Sequence, residues 1–86
     1  MNFKSRFFFV TGEVRGPNRY EYSTDLTVLK AITTAGGFTD YAKPSAVVVT
    51  RANGEQSKVD CKKAKSNPKL DLPIYPGDQV TVPRRL

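Results

Sequence analysis

From Phe7 to Val14 the chain alternates with a two-residue period: Phe8, Val10, Gly12 and Val14 fall on one face, Phe7, Phe9, Thr11 and Glu13 on the other. That is the pattern of a strand with one face in a core. The opposite face begins with two phenylalanines, apolar surface that needs cover from a neighbour, from the chain's own ends or from another subunit. Arg15-Gly16-Pro17-Asn18-Arg19 supplies turn residues, and Tyr20-Glu21-Tyr22-Ser23 resumes the alternation, which predicts a hairpin of the first two strands.

The period then changes. Val28, Ala31, Ile32 and Ala35 recur at helical spacing, with Thr27 placed to cap the N-terminus, Asp25 near the positive end of the dipole and Gly36-Gly37 as the stop. Phe38 to Ser45 reads as a connecting loop containing Tyr41 and Pro44, and Ala46 to Arg51 as a β-branched strand. Asn53-Gly54 favours a type I′ turn and so predicts a second hairpin, returning through Ser57, Lys58 and Val59. The lysine-rich stretch from Asp60 to Asn67 fits a short helix capped by Asp60, or an irregular crossover, ended by Pro68. Pro76-Gly77-Asp78 is a turn signal, after which Gln79-Val80-Thr81-Val82 forms a short last strand with Val80 and Val82 inward.

Strand, strand, helix, strand, strand, short crossover, strand is the order of an α+β β-grasp: a small mixed sheet of about five strands packed on one helix, with room for a second short helix. Periodicity alone does not select this topology. Eighty-six residues allow one such domain, taken as 1–86 with its core at 7–83, and leave no room for a second. Met1 stands only a few residues before the first strand, and Met1 to Arg6 lacks the apolar stretch of a secretory signal, so the chain is expected to be a piece of a longer protein.

Chemistry narrows the field further. There is no histidine, which removes the commonest metal ligand and the side chain that titrates nearest neutral pH, and with them most hydrolase and metalloenzyme mechanisms. Cys61 is the sole cysteine, so no internal disulfide forms; with no histidine to activate it, it reads as a small core residue rather than a nucleophile. Asp25, Asp40, Asp60, Asp71 and Asp78 each fall at a predicted cap, turn or loop, which accounts for them better than acid/base catalysis does. No enzyme activity, cofactor or metal is expected. The formal charge of +6 favours anionic partners without choosing among them. Lys58, Lys62, Lys63, Lys65 and Lys69 carry much of it, but with no aromatic among them to stack on bases they read as a solvated face, and no nucleic acid is expected as a partner.

Five pieces stand in a characteristic order and spacing: Phe9-Val10-Thr11-Gly12-Glu13-Val14 followed by Gly16-Pro17; Leu26-Thr27-Val28-Leu29-Lys30-Ala31-Ile32 running into Ala35-Gly36-Gly37; Val47-Val48-Val49-Thr50-Arg51; Val59-Asp60; and Tyr75-Pro76-Gly77-Asp78-Gln79-Val80-Thr81-Val82-Pro83. Through them, over Phe8 to Pro83, the chain resembles the soluble ligand-binding β-grasp (SLBB) domains of bacterial polysaccharide export proteins. The first turn departs from the commoner Pro-Gly pair, and Cys61 stands where an aliphatic residue is usual.

The resemblance implies a non-catalytic module of an exopolysaccharide or capsule export protein, periplasmic and associated with the outer membrane through its parent, which self-associates around the polymer's path. Phe7, Phe9, Gly16, Pro17, Phe38 and Thr39 are the candidate subunit contacts. Arg15, Arg19, Tyr20, Tyr22 and Tyr41 are the candidate polysaccharide-binding residues, pairing guanidinium forks for carboxylates with aromatic faces for sugar rings; an ordinary solvated hairpin is the plainer reading of the first four. An alternative is a β-grasp that binds a small ligand of the cobalamin type. Relatives within respiratory dehydrogenase subunits suggest an electron-transfer accessory, but one cysteine provides no cluster-ligand spacing.

Overall fold

The computed structural model describes residues 6–85. Five strands form one mixed sheet in the order β2-β1-β5-β3-β4, where β1 is Phe7–Gly12, β2 Asn18–Glu21, β3 Val47–Thr50, β4 Gln56–Val59 and β5 Gln79–Val82. Both hairpins are antiparallel, as is β3 with β5; β1 and β5 run parallel at the centre, Val10 opposite Val80. A parallel pair needs a long crossover. Here that crossover is most of the chain, and it carries α1 (Val28–Thr34) and α2 (Cys61–Ala64) across one face of the sheet.

That face is the core. Phe8 and Val10 of β1, Val80 and Val82 of β5, Val47 and Val49 of β3 and Val59 of β4 pack under Val28, Ala31 and Ile32 of α1, with Cys61 and Ile74 completing the cluster. The alternation in the sequence thus places its inward set as expected. Phe8 and Tyr20 are directly paired across the β1–β2 ladder, their ring centroids 5.9 Å apart.

Helix α1 is held at both ends by the devices its sequence announces, and by one it does not. Thr27 Oγ1 accepts from the Lys30 N–H, while the turn after Ala35 closes with Gly36 N–H to Thr33 O at 3.0 Å and Gly37 N–H to Ile32 O at 2.9 Å, a Schellman arrangement. The addition is Asp71, 42 residues downstream of Leu29, whose carboxylate accepts from the Leu29 N–H at 3.0 Å. A carboxylate there also sits at the positive end of the helix dipole. Residues 71–74 reach this place because they run beside 26–28, with Val28 N–H bonded to Leu72 O and Ile74 N–H to Leu26 O. In the lysine-rich crossover the helical alternative is the one formed: Asp60 Oδ1 accepts from the Lys62 and Lys63 N–H groups and starts α2.

The second hairpin forms, but its turn differs from the type I′ expected of Asn53-Gly54. Only Gly54 has a positive φ, of 93°, whereas a type I′ turn needs one at both central residues. Gly54 N–H bonds to Arg51 O and Arg51 N–H to Glu55 O, so the loop has three residues, a turn followed by a bulge at Gly54. Two smaller boundaries move as well. Ala46 ends a 3₁₀ turn begun at Pro44 rather than starting β3, and β1 stops at Gly12, where φ is +89°. A Cβ at Gly12 would overlap the Val82 carbonyl oxygen, so the central parallel pair closes there only over a glycine.

Candidate functional site

Because α1 and α2 cover one face, the other face of the sheet is left open among the described residues, and its side chains follow from the register. One row across all five strands reads Arg19, Phe9, Gln79, Thr50, Gln56; the next, across four of them, reads Thr11, Thr81, Val48, Lys58. Thr11 Oγ1 and Thr81 Oγ1 pair within the second row at 3.3 Å, and Gln79 Nε2 donates to Thr11 Oγ1 at 3.4 Å between the rows. Phe9 is 41% exposed in the middle of this polar surface, and Phe7 is half-buried beneath the Arg19 guanidinium, 4.4 Å from the ring centroid.

The five residues proposed for polysaccharide do not converge. Arg19 lies on the open face with Phe7, whereas Tyr20 and Tyr22 pack against the core on the other side. Tyr20 donates its hydroxyl to Gly16 O and so ties the β1–β2 turn; Tyr22 carries Arg6 at 5.7 Å. Arg15 is exposed on the turn itself. Tyr41 belongs to another neighbourhood, where its ring is 56% exposed with the Arg84 guanidinium 4.9 Å from the centroid. Strand alternation already separates Arg19 from Tyr20 by face; the partner of Tyr41 had no sequence signal, since Arg84 is 43 residues away.

The proposed subunit contacts fall into two groups. Phe7 and Phe9 share the open face. Gly16, Pro17, Phe38 and Thr39 meet at one end of the sheet, where Val14 bridges Phe38, Arg15 N–H bonds to Gly37 O at 3.0 Å and Gly16 N–H to Ala35 O at 2.7 Å. Thr39 donates its hydroxyl to Glu13 Oε1 at 2.8 Å, and Phe38 lies partly buried against the core, closing it rather than projecting from it. Pro17 is the exposed member.

A third cluster escaped sequence reasoning. Asp78 is buried, its carboxylate paired with Arg51 and accepting the Tyr75 N–H at 2.8 Å, while Arg51 also donates to Pro73 O at 3.1 Å and lies 5.4 Å from the Tyr75 ring. Every one of these partners is structural. The Cys61 thiol is buried, and burial, followed by the nearby Asp71 and Asp60 carboxylates, pushes its pKa up from 9.0 to about 11, the opposite of what a nucleophile needs. Among the described residues no group of three or more His, Cys, Asp or Glu side chains could hold a metal ion, and no helix is long and apolar enough to cross a membrane.

The fold is therefore that of a small α+β domain, a five-stranded mixed sheet with α1 and α2 on one face and mostly polar side chains on the other. Residues 7–60 match the family model of the SLBB domain, and the chain belongs to that family, a soluble ligand-binding type of β-grasp. The matched span ends at the α2 cap and holds β1 to β4; β5, beyond it, is the strand that joins the two hairpins into one sheet.

Proposed function

We propose that this chain is a non-catalytic module of an exopolysaccharide or capsule export protein, standing in the periplasm on a parent associated with the outer membrane. There it packs against the same domain of neighbouring subunits around the path of the polymer. Membership of the SLBB family supports a binding role. The observation that carries the assembly reading is Phe9, a large apolar side chain exposed on the open sheet face and flanked by Arg19, Gln79 and Thr11. An aromatic centre within a polar surround is the usual anatomy of a protein contact. Pro17, projecting from the end of the sheet, extends the contact to the turn. Nucleic acid has no place in this reading, and the membrane is met only through the parent.

The test is Phe9→Glu in the full-length parent. Light scattering should show loss of the assembled ring and surface polysaccharide should fall, while the same substitution in the isolated chain leaves thermal unfolding within a few degrees, as expected of an exposed position. A ring that assembles unchanged with Glu at this position would refute the contact. Mixing the chain with cobalamin, with no change in its absorption spectrum, would dispose of the small-ligand alternative.

A further inference from the structure

On the same open face as Phe9, next to the last residues of the chain, lies a groove of about 460 Å³. Its floor is Val48, Ala46 and Pro83 with the Thr81 hydroxyl, and its rim is Lys43, Arg84 and Arg85. Among the described residues, three cations border one groove with no carboxylate in its lining, and none of the three makes an ion pair. The exposed Tyr41 ring stands beside the rim under Arg84.

The backbone holds these side chains in place. Ala42 and Arg84 form an antiparallel bridge, Lys43 N–H bonds to Pro83 O at 2.9 Å, and Arg85 N–H bonds to Tyr41 O at 2.7 Å. Tyr41 and Lys43 are thereby locked against Arg84 and Arg85, though the two segments are some forty residues apart in the chain. The groove also continues. Val48 lines a second, smaller depression with Gln56, Ser57 and Lys58, so the surface runs on across β3 to a fourth cation on β4.

We propose that this groove binds a carboxylated sugar unit of an acidic polysaccharide, with the chain of the polymer lying across β5, β3 and β4. Guanidinium groups at Arg84 and Arg85 match the planar fork of a carboxylate. The apolar floor and the Tyr41 ring suit the C–H faces of a pyranose, and Thr81 offers a hydroxyl partner for its OH groups. Because it continues past Val48 into the depression beside Lys58, this surface suits a segment within a polymer better than a small anion. A single-stranded nucleic acid would call for a series of aromatic platforms, and among the described residues only Tyr41 stands beside this groove. This site deepens the export reading by naming a cargo contact, and it occupies a part of the face that the Phe9 contact does not use.

The experiment is calorimetric titration of the chain at physiological salt with four probes: a galacturonic acid tetramer, its methyl ester, a glutamate peptide and an oligothymidylate of equal charge. The acid tetramer should bind, with NMR shifts at Tyr41, Lys43, Val48 and Thr81, and its ester should bind about tenfold more weakly or less. Lys43→Gln with Arg84→Gln should weaken the acid tetramer about tenfold, and Tyr41→Ala severalfold, whereas Arg15→Gln with Arg19→Gln should change nothing. No binding of the acid tetramer, equal binding of the ester, indifference to the groove variants, or a peptide or oligonucleotide that binds as tightly would each overturn the proposal. The Phe9→Glu ring assay reads a different surface, so either conclusion can fall while the other stands.

Discussion

The carboxylate of Asp78, 2% exposed, is paired with the guanidinium of Arg51 at the end of β3, 27 residues earlier in the chain. Around this pair three segments converge: the Tyr75 amide donates to Asp78, Phe9 N–H bonds to Asp78 O, and Gly77 N–H bonds to Phe7 O. The ion pair therefore joins β1, β3 and the turn that launches β5.

Removing one partner of a largely buried pair strands the other. Asp78→Ala is expected to destabilise the domain by about 2–4 kcal/mol, toward the lower end because the Arg51 side chain is 22% exposed and water recovers part of its solvation. The double variant with Arg51→Ala should lose clearly less than the sum of the singles. Urea unfolding of the four proteins measures this, and additive losses would show that the pair is not coupled.

Gly12 and Gly54 both have φ near +90°, yet they should respond differently to a methyl group. At Gly54 nothing lies within 4 Å of an added Cβ, so Gly54→Ala costs only the backbone strain, about 1–2 kcal/mol. At Gly12 the Cβ also collides with the Val82 carbonyl and must push β5 from β1. Gly12→Ala should lower the midpoint of thermal unfolding by considerably more, and equal shifts in the two variants would refute the close-approach argument.

Asp71 caps α1 from a distance, so its loss should be felt in the helix rather than in its own loop. Asp71→Ala is expected to cost about 1 kcal/mol. Hydrogen exchange at the Leu29 amide should accelerate, and acceleration confined to residues 68–72 would argue against the cap.

Cys61 tests the packing of α2. With its thiol raised to about 11, alkylation by iodoacetamide at pH 8 should be slow in the native chain and fast in urea. The sign of the linkage follows: the folded state holds this proton more tightly than the unfolded one, whose thiol titrates near 9.0. The stabilisation is complete below about pH 9 and is lost as pH rises toward 11. In Cys61→Ala that component of the alkaline decline, measured between pH 8 and 11, should vanish.

Much of this molecule is written in local pattern. Two-residue alternation set Phe8 and Val10 inward and Phe7 and Phe9 outward, since strand geometry admits no other division. Thr27, Asp60 and Gly36-Gly37 marked helix ends because the unsatisfied backbone groups there need those residues within one turn. The type I′ expectation at Asn53-Gly54 failed for a related reason: one left-handed residue suffices once a third residue joins the loop, and loop length depends on how β3 and β4 align.

The remaining features depend on contacts between residues far apart in sequence. Arg51 with Asp78, Leu29 with Asp71, and Tyr41 and Lys43 with Arg84 and Arg85 are 27 to 44 residues apart, and composition ranks such pairs no higher than any other acid and base or any other arginine and ring. They meet because β5 enters between β1 and β3 and draws its flanking turns against both. That insertion is decided by burial of the two hydrophobic strand faces against α1, a property of the whole core. The sequence alone determined the strands, the local caps at Thr27 and Asp60 and the inward faces; the tertiary structure decided that Asp71 caps α1 from afar, that Tyr20 and Tyr22 serve the core and that the cations gather in a groove beside Tyr41.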